Sequence, residues 1–363
     1  MKRVVVLGST GSIGKQTLNI IRNNPTIFSV VGLSCRKNID LLKRQMNEFD
    51  VRFGCCSLFP DEQNRIFDNE LLLLKSVDFD IVVAGAGGID SLEAVIYALE
   101  QNKRVCVANK ELLVCAGSLL MKLSNGNLIP VDSEHSAVFQ CLENRKDVES
   151  ITLTCSGGAL RDFDINKLWS ATKSDVLKHP TWKMGDKITV DCATMANKAF
   201  EVIEANRLFG FQRKDINVLL HKESLVHGFI TFRDKSSLAL ISQPSMELPI
   251  AYALSYPDRV RFDSDFSLVG KTLTFENPDY SRYPIFEFIT ENYQNEEFCC
   301  MSAGVDEASV NLFLDGVIRY GELHTIIENS LSKVSNSAIT DAKTAREIYN
   351  EGIQRVLQIR KKV

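Results

Sequence analysis

The stretch Leu128–His135, LIPVDSEH, carries an apolar run onto two carboxylates. In an extended chain Asp132 and Glu134 point to the same side. Held together, they repel unless one is protonated or a cation sits between them. An all-oxygen pair suits Mg2+ or Mn2+. The competing reading is a helix cap with a surface ion pair. A third carboxylate lies in VDCATMANKAFEVIEA. There Asn197, Lys198 and Glu201 put an amide, an ammonium and a carboxylate on one helix face. Glu201 then completes a metal site and Asn197 and Lys198 grip an anionic substrate. Alternatively, Lys198 and Glu201 form an ordinary pair on a wet face. Lys110, in ANKE, follows a strand end. It neutralises a substrate oxygen or phosphate, pairs with Asp132, or is a plain surface lysine.

A second kind of chemistry opens the chain. Val4–Leu7 runs into Gly8-Ser-Thr-Gly11-Ser-Ile-Gly14, followed by a helical pattern. Strand, glycine turn and helix are the context of a dinucleotide site, with the pyrophosphate at the positive end of the helix. The spacing is GxxGxxG rather than GxGxxG, which leaves a purely structural turn open. The next strand ends Ser34-Cys35-Arg36-Lys37-Asn38. It has no carboxylate for a ribose 2′-hydroxyl and two cations where a 2′-phosphate would lie, which favours NADP over NAD. A solvated basic loop is the alternative. Ser156-Gly157-Gly158 ends another strand and exposes backbone N–H groups to an anion. HPTWKMG, at His179–Gly185, sets a Trp among His, Lys, Pro and Gly, as a lid over a substrate or as a core tryptophan. Four of the five histidines lie between 135 and 227, and none is assigned as a base.

These groups need elements to carry them. Over residues 1 to about 132, continuous apolar strands alternate with helices, the pattern of a parallel sheet covered on both faces. Strands are expected at Val4–Leu7, Ser29–Leu33, Ile81–Ala84, Val105–Ala108 and Leu128–Val131. Asp90-Ser91-Leu92-Glu93 has the form of a capping box opening a helix to about Asn102. From about Glu149, alternation at Ser150–Thr154 and runs at Leu219–Phe232 and Leu238–Ser242 indicate an α+β region to about 260. The prolines and polar residues of 257–284 read as a linker. The remainder is helical, and in the last helix Ala345, Ile348, Tyr349, Gly352, Val356 and Ile359 share a face, with Asp341 as cap. With 363 residues, two or three domains are expected.

Composition narrows the functional classes. A net charge of −4 and a pI of about 5.9 argue against general affinity for nucleic acid or anionic membrane. No targeting signal and no apolar stretch of membrane-spanning length is evident. Ten cysteines without a CxxC pair suggest reduced thiols in a cytosolic protein. A nicotinamide cofactor, a hard divalent metal and a phosphate grip describe a reductase of an oxygen-rich phosphorylated substrate.

GSTGSIG (8–14), ANKE (108–111), VDSEH (131–135), SGG (156–158), HPTWKMG (179–185), DCATMANKAFE (191–201), QPSMELPIAY (243–252) and PDYSRYP (278–284) occur together and in order. In this the chain resembles the 1-deoxy-D-xylulose 5-phosphate reductoisomerase family over essentially its whole length. The resemblance implies rearrangement of 1-deoxy-D-xylulose 5-phosphate and NADPH-dependent reduction to 2-C-methyl-D-erythritol 4-phosphate, in the non-mevalonate isoprenoid pathway. It implies a cytoplasmic homodimer with no nucleic-acid or membrane partner and a small phosphorylated sugar as substrate. Its fold class is α/β: a Rossmann-like NADPH domain (1–132), a central α+β catalytic and dimerisation domain (133–256), a linker (257–284) and a C-terminal helical bundle (285–363).

Carried over by residue, Asp132, Glu134 and Glu201 bind Mn2+ or Mg2+, with Co2+ as a further option. Lys110 and Ser133 bind the substrate near its reacting oxygens. Ser156, His179, Cys192, Asn197 and Lys198 lie at its phosphate end, and Trp182 and Met184 belong to the lid. Thr10, Gly11, Ser12, Ile13, Arg36, Lys37, Asn38, Asn109, Glu111, Gly185 and Met246 face NADPH. Two positions depart from the family pattern. Cys192 stands where a serine usually donates to the phosphate, and a thiol is a weak donor. Ala159-Leu160 replace Pro-Phe after the glycine pair. The remaining alternatives are a metal-independent NADP dehydrogenase of another phosphorylated substrate and a non-catalytic nucleotide sensor.

Overall fold

A computed structural model describes residues 1–360 except 62, 64, 144, 179–184 and 262–264. The chain divides into two compact units. The first comprises residues 1–112, 119–136 and 245–264; the second comprises 113–118, 137–244 and 265–363.

In chain order, the first stretch holds β1 (Lys2–Leu7), α1 (Ser12–Asn23), β2 (Phe28–Cys35), α2 (Ile39–Glu48), β3 (Phe53–Cys56), β4 (Ile66–Phe67), α3 (Glu70–Ser76), β5 (Ile81–Ala84), α4 (Leu92–Glu100), β6 (Arg104–Val107), α5 (Lys110–Ser124) and β7 (Leu128–Pro130). The seven strands form one parallel sheet in the order β4-β3-β2-β1-β5-β6-β7. Val4, Val5, Val6 and Leu7 are fully buried, as the unbroken apolar run requires of a strand covered on both faces. The chain direction across the sheet reverses between β1 and β5, the place where such sheets receive ligands. β3 and β4, too short to declare themselves, were not foreseen. Ser91, not Asp90, precedes α4 and makes no side-chain cap bond, so the expected capping box does not form. The Ser91 side chain is instead drawn inward, 1% exposed.

The second stretch continues with α6 (Ser133–Leu142), β8 (Val148–Cys155), α7 (Lys173–Val176), α8 (Asp186–Thr194), α9 (Ala196–Phe209), β9 (Ile216–Leu220), β10 (Val226–Phe232), β11 (Ser237–Ile241), α10 (Glu247–Ser255), α11 (Pro284–Glu291), α12 (Glu296–Leu314), α13 (Leu323–Leu331) and α14 (Ala342–Arg360). A four-stranded sheet runs β11-β10-β8-β9, with β10 antiparallel to both neighbours and β8 parallel to β9. α10 belongs to the first unit, where Glu247 accepts a hydrogen bond from Asn19 of α1 at 3.0 Å. No helix among the described residues is long and apolar enough to cross a membrane.

Asp341 caps α14 as its position suggests, its carboxylate accepting the Thr344 amide at 2.7 Å. Ala345, Tyr349, Gly352 and Val356 bury one face of that helix. α12 and α14 cross at two glycines. A methyl at Gly352 would meet the Met301 carbonyl at 2.5 Å, and one at Gly304 would run into the Tyr349 carbonyl. Backbone cannot yield as a flexible side chain does. Replacing Gly304 with Ala should therefore destabilise the folded chain by about 1–3 kcal/mol, read as a lowered urea midpoint.

Candidate functional site

The first unit supplies a carboxylate pair and a lysine. Asp132 and Glu134 are not in the extended geometry expected of them. β7 stops at Pro130 and a helix begins at Ser133, so Glu134 lies in the first turn of α6. The Asp132 carbonyl accepts the Ser136 amide at 2.8 Å, which places Asp132 at the helix start. The two carboxylates still offer oxygens within 4.8 Å of one another. The positive end of α6 favours negative charge there. Lys110, at the first position of α5, lies 2.8 Å from Asp132 Oδ2, and both side chains are largely buried. Of the readings open for Lys110, pairing with Asp132 is the one that forms. Ser133 Oγ donates to Glu134 Oε2. Two close carboxylates at a helix start, with oxygen donors only, fit a hard divalent cation.

The same unit carries the glycine turn. Gly14 lets the start of α1 press onto Gly8 and Ser9, where a methyl would strike backbone. Gly11 N–H donates to the Gly8 carbonyl at 3.0 Å, closing the turn that holds Thr10, Ser12 and Ile13 at the start of α1. Asn109 is 4% exposed and its Nδ2 donates to the carbonyls of Ala86 and Gly88. Its Oδ1 is buried with no partner among the described residues, an acceptor awaiting a donor. Arg36, Lys37 and Asn38 are exposed beyond β2, and neither cation makes an ion pair among the described residues. Asn38 caps α2 through the Leu41 amide at 3.2 Å. Glu111 follows Lys110 in the first turn of α5, and Met246 immediately precedes α10. A tight backbone turn, an orphaned acceptor and uncommitted cations fit a phosphorylated dinucleotide.

The second unit supplies the other residues. Asn197, Lys198 and Glu201 share a face of α9 as their spacing predicts, but the face is not wet. All residues from Ala196 to Ala205 are buried, Lys198 at 3% and Glu201 at 1% exposure. Tertiary packing thus overturns the solvated-pair alternative. Lys198 Nζ donates to Glu201 Oε2 and, at 2.6 Å, to the Thr154 carbonyl at the end of β8. Asn197 Nδ2 donates to Glu201 Oε1 at 2.5 Å, and Asn197 Oδ1 is buried without a partner among the described residues.

Beyond β8, Ser156 Oγ accepts the Gly158 amide at 3.2 Å. Gly158 has φ +68°, and a methyl there would meet the Cys192 carbonyl at 2.5 Å. The glycine pair is therefore needed both for its backbone angle and for its approach to the end of α8. Arg161 and Tyr283 were not singled out from the sequence. Arg161 donates to the Ser156 carbonyl at 2.6 Å and Tyr283 to the Gly157 carbonyl at 3.1 Å. Burial pushes the Tyr283 phenol up to about 12, so it stays a donor. Arg161 sits in no motif, Tyr283 belongs to PDYSRYP without a role assigned to it there, and only folding brings it to the turn. Cys192 is half-buried in the last turn of α8, and Gly185 precedes that helix. His221 is structural: its Nε2 accepts the Leu225 and Val226 amides at 3.1 Å. His179, Trp182 and Met184 lie outside the described residues.

Three family models match the chain. The model described as 1-deoxy-D-xylulose 5-phosphate reductoisomerase covers residues 4–65 and 67–117. Those described as its C-terminal domains cover 128–209 and 241–362. The 1-deoxy-D-xylulose 5-phosphate reductoisomerase of Thermotoga neapolitana is 41% identical over 345 residues, covering 92% of this chain and 90% of that protein. That of Thermotoga maritima is 42% identical over 341 residues, with the same coverages. A crystal structure of DOX-P reductoisomerase in complex with NADPH, fosmidomycin and magnesium superposes with a TM-score of 0.91 at 28% identity, covering 100% of this chain and 98% of that one. The Zymomonas mobilis reductoisomerase in complex with NADPH gives 0.90 at 29% identity, with both chains covered in full. The order of motifs, the parallel sheet with its glycine turn and the carboxylates at the head of α6 agree with these matches, and the chain belongs to the 1-deoxy-D-xylulose 5-phosphate reductoisomerase family.

Proposed function

We propose that this chain rearranges 1-deoxy-D-xylulose 5-phosphate and reduces the product with NADPH to 2-C-methyl-D-erythritol 4-phosphate. The observation that carries this reading is the head of α6, where Asp132 and Glu134 bring oxygens within 4.8 Å and Lys110 pairs with Asp132. With Glu201, these carboxylates are assigned to a single Mg2+ or Mn2+ ion. The ion supplies Lewis acidity toward neighbouring substrate oxygens, and NADPH supplies hydride. The magnesium and NADPH in the structures of similar enzymes support that assignment.

The chain's own groups then have distinct tasks. Lys110, already desolvated, places an ammonium beside the carboxylates, where a substrate oxygen gathering negative charge is stabilised. The Ser133 hydroxyl orients Glu134 through their hydrogen bond. Lys198, anchored to Thr154 and Glu201, fixes the carboxylate's direction before any substrate arrives. The Asn197 carbonyl oxygen, lacking a donor, is suited to a substrate hydroxyl. Ser156 and the Gly157-Gly158 turn, with Cys192 packed against it, are assigned to the phosphate end. His179 is assigned there too, and Trp182 and Met184 to the lid, from sequence alone. Thr10–Ile13, Arg36–Asn38, Asn109, Glu111, Gly185 and Met246 are assigned to NADPH. We assign residues 1–132 to cofactor binding, 133–256 to catalysis and dimerisation, 257–284 to a linker and 285–363 to a helical bundle. A homodimer in the cytoplasm completes the proposal.

Two experiments test it. With 1-deoxy-D-xylulose 5-phosphate supplied, NADPH absorbance should fall only while a divalent ion is present. EDTA should stop turnover, and Mg2+ or Mn2+ should restore it. Glu201→Gln should lower that turnover at least about 100-fold while NADPH binding persists. Turnover indifferent to EDTA would point instead to a metal-independent dehydrogenase. Separately, the double substitution Arg36→Ala, Lys37→Ala should raise the KM for NADPH roughly 10-fold, since each charged hydrogen bond to phosphate is lost. The same variant should use NADH no worse than the unaltered chain does. An equal loss with both cofactors would remove these residues from the 2′-phosphate.

A further inference from the structure

Glu70 opens α3 and is absent from every motif above. The residue as a whole is half-buried, but its Oε2 atom is fully enclosed. Its Oε1 accepts the Ser34 hydroxyl proton at 2.5 Å. A serine hydroxyl has one proton, so Ser34 Oγ then turns a lone pair elsewhere. That oxygen accepts the Gly8 amide at 2.9 Å. The Ser34 carbonyl accepts the Ser9 amide at 2.8 Å, and the Ser9 hydroxyl lies 2.8 Å from Gln45 Oε1 and 3.1 Å from the same carbonyl. The first two residues of the glycine turn therefore hang on one residue of β2, and the direction of its hydroxyl is set by Glu70.

The same carboxyl reaches a second loop. Ser91, before α4, faces Glu70, outside standard hydrogen-bond geometry. Neither Oε2 nor the Ser91 hydroxyl has another partner among the described residues. The Gly85–Gly88 loop leads from β5 to this serine. Gly8, at φ +78°, packs against it so closely that a methyl would meet the Ala86 nitrogen at 2.8 Å. Glu70 thus stands between the two loops that flank the β1/β5 reversal. Among the described residues, the titratable groups that act on it are Asp90 and the thiols of Cys35 and Cys55, none of them a cation. Burial accordingly holds the acid above its ordinary range.

We propose that Glu70 is a positioning residue for the dinucleotide turn: it accepts the Ser34 hydroxyl hydrogen bond, leaves that oxygen's lone pair to hold the Gly8 amide, and so presets the turn that receives the pyrophosphate. The inference rests on the reading that NADPH binds at this turn. A preset turn spends no binding free energy on ordering, so the effect falls on cofactor affinity and not on the chemical step.

Titration of NADPH fluorescence on the full chain tests this. Glu70→Leu and Ser34→Ala should each weaken NADPH roughly 5- to 10-fold, the scale of one hydrogen bond. KM for NADPH should rise with them while kcat at saturation holds. Glu70→Gln keeps an acceptor oxygen and should restore affinity to within about twofold. In the Ser34→Ala background, Glu70→Leu should add nothing. A Glu70→Gln variant as weak as Glu70→Leu, or unaltered affinity in Ser34→Ala, overturns the proposal. If Glu70→Leu does not fold, Ser34→Ala and Glu70→Gln decide the matter between them. An unaltered chain that binds no NADPH would overturn the reading of the turn itself, a different result.

Discussion

A carboxylate withdrawn from water must be met by positive charge or by donors, and the site residues are arranged around that requirement. In one unit Asp132 and Glu134 stand at the positive end of α6, with Lys110 on Asp132. In the other, Glu201 is held by Lys198 and by the Asn197 amide. These lysines do more than balance charge. Lys110 fixes the direction of Asp132 and Lys198 that of Glu201, while the Ser133 hydroxyl does the same for Glu134. The helix starts add their own fixed dipoles without any moving part.

The second requirement is close approach of backbone to backbone. It recurs at the Gly8–Gly14 turn, at Gly157-Gly158 against the end of α8, and at the crossing of α12 and α14. In the first two, the missing side chains let backbone close on backbone, and the Gly8, Gly11 and Gly158 amides are held by hydrogen bonds within or beside the turns. At the third the same economy serves stability alone. Glycine spacing therefore means different things at different depths in the fold, and its neighbours decide which.

Much of this was legible in the sequence, because unbroken apolar runs, glycine turns and helical periodicity are local. β1, β2, β5, β6 and β7 follow from their runs, and α14 from its apolar face and the Asp341 cap. The family followed from motifs that are short and specific. Less local features were misread. Asp132 and Glu134 looked like neighbours on a strand because Val131 continues the apolar run, yet the helix begins at Ser133. The wet-face alternative for Lys198 and Glu201 rested on their polar residue types alone, and burial removes it. The burial of α9 comes from elements far away in sequence.

What the sequence determined alone was the inventory: which carboxylates, lysines and glycines exist, and at what spacing along each element. Spacing within one helix or turn is fixed by backbone geometry, so those relations needed no coordinates. Which groups are dry, which hydroxyl holds which amide, and which carboxyl stands between two loops were decided only by tertiary structure. Ser34, Glu70 and Ser91 share no motif, and Tyr283 lies far along the chain from Gly157. Their contacts arise because packing brings separate strands and loops to one place, and burial then makes each polar partner obligatory.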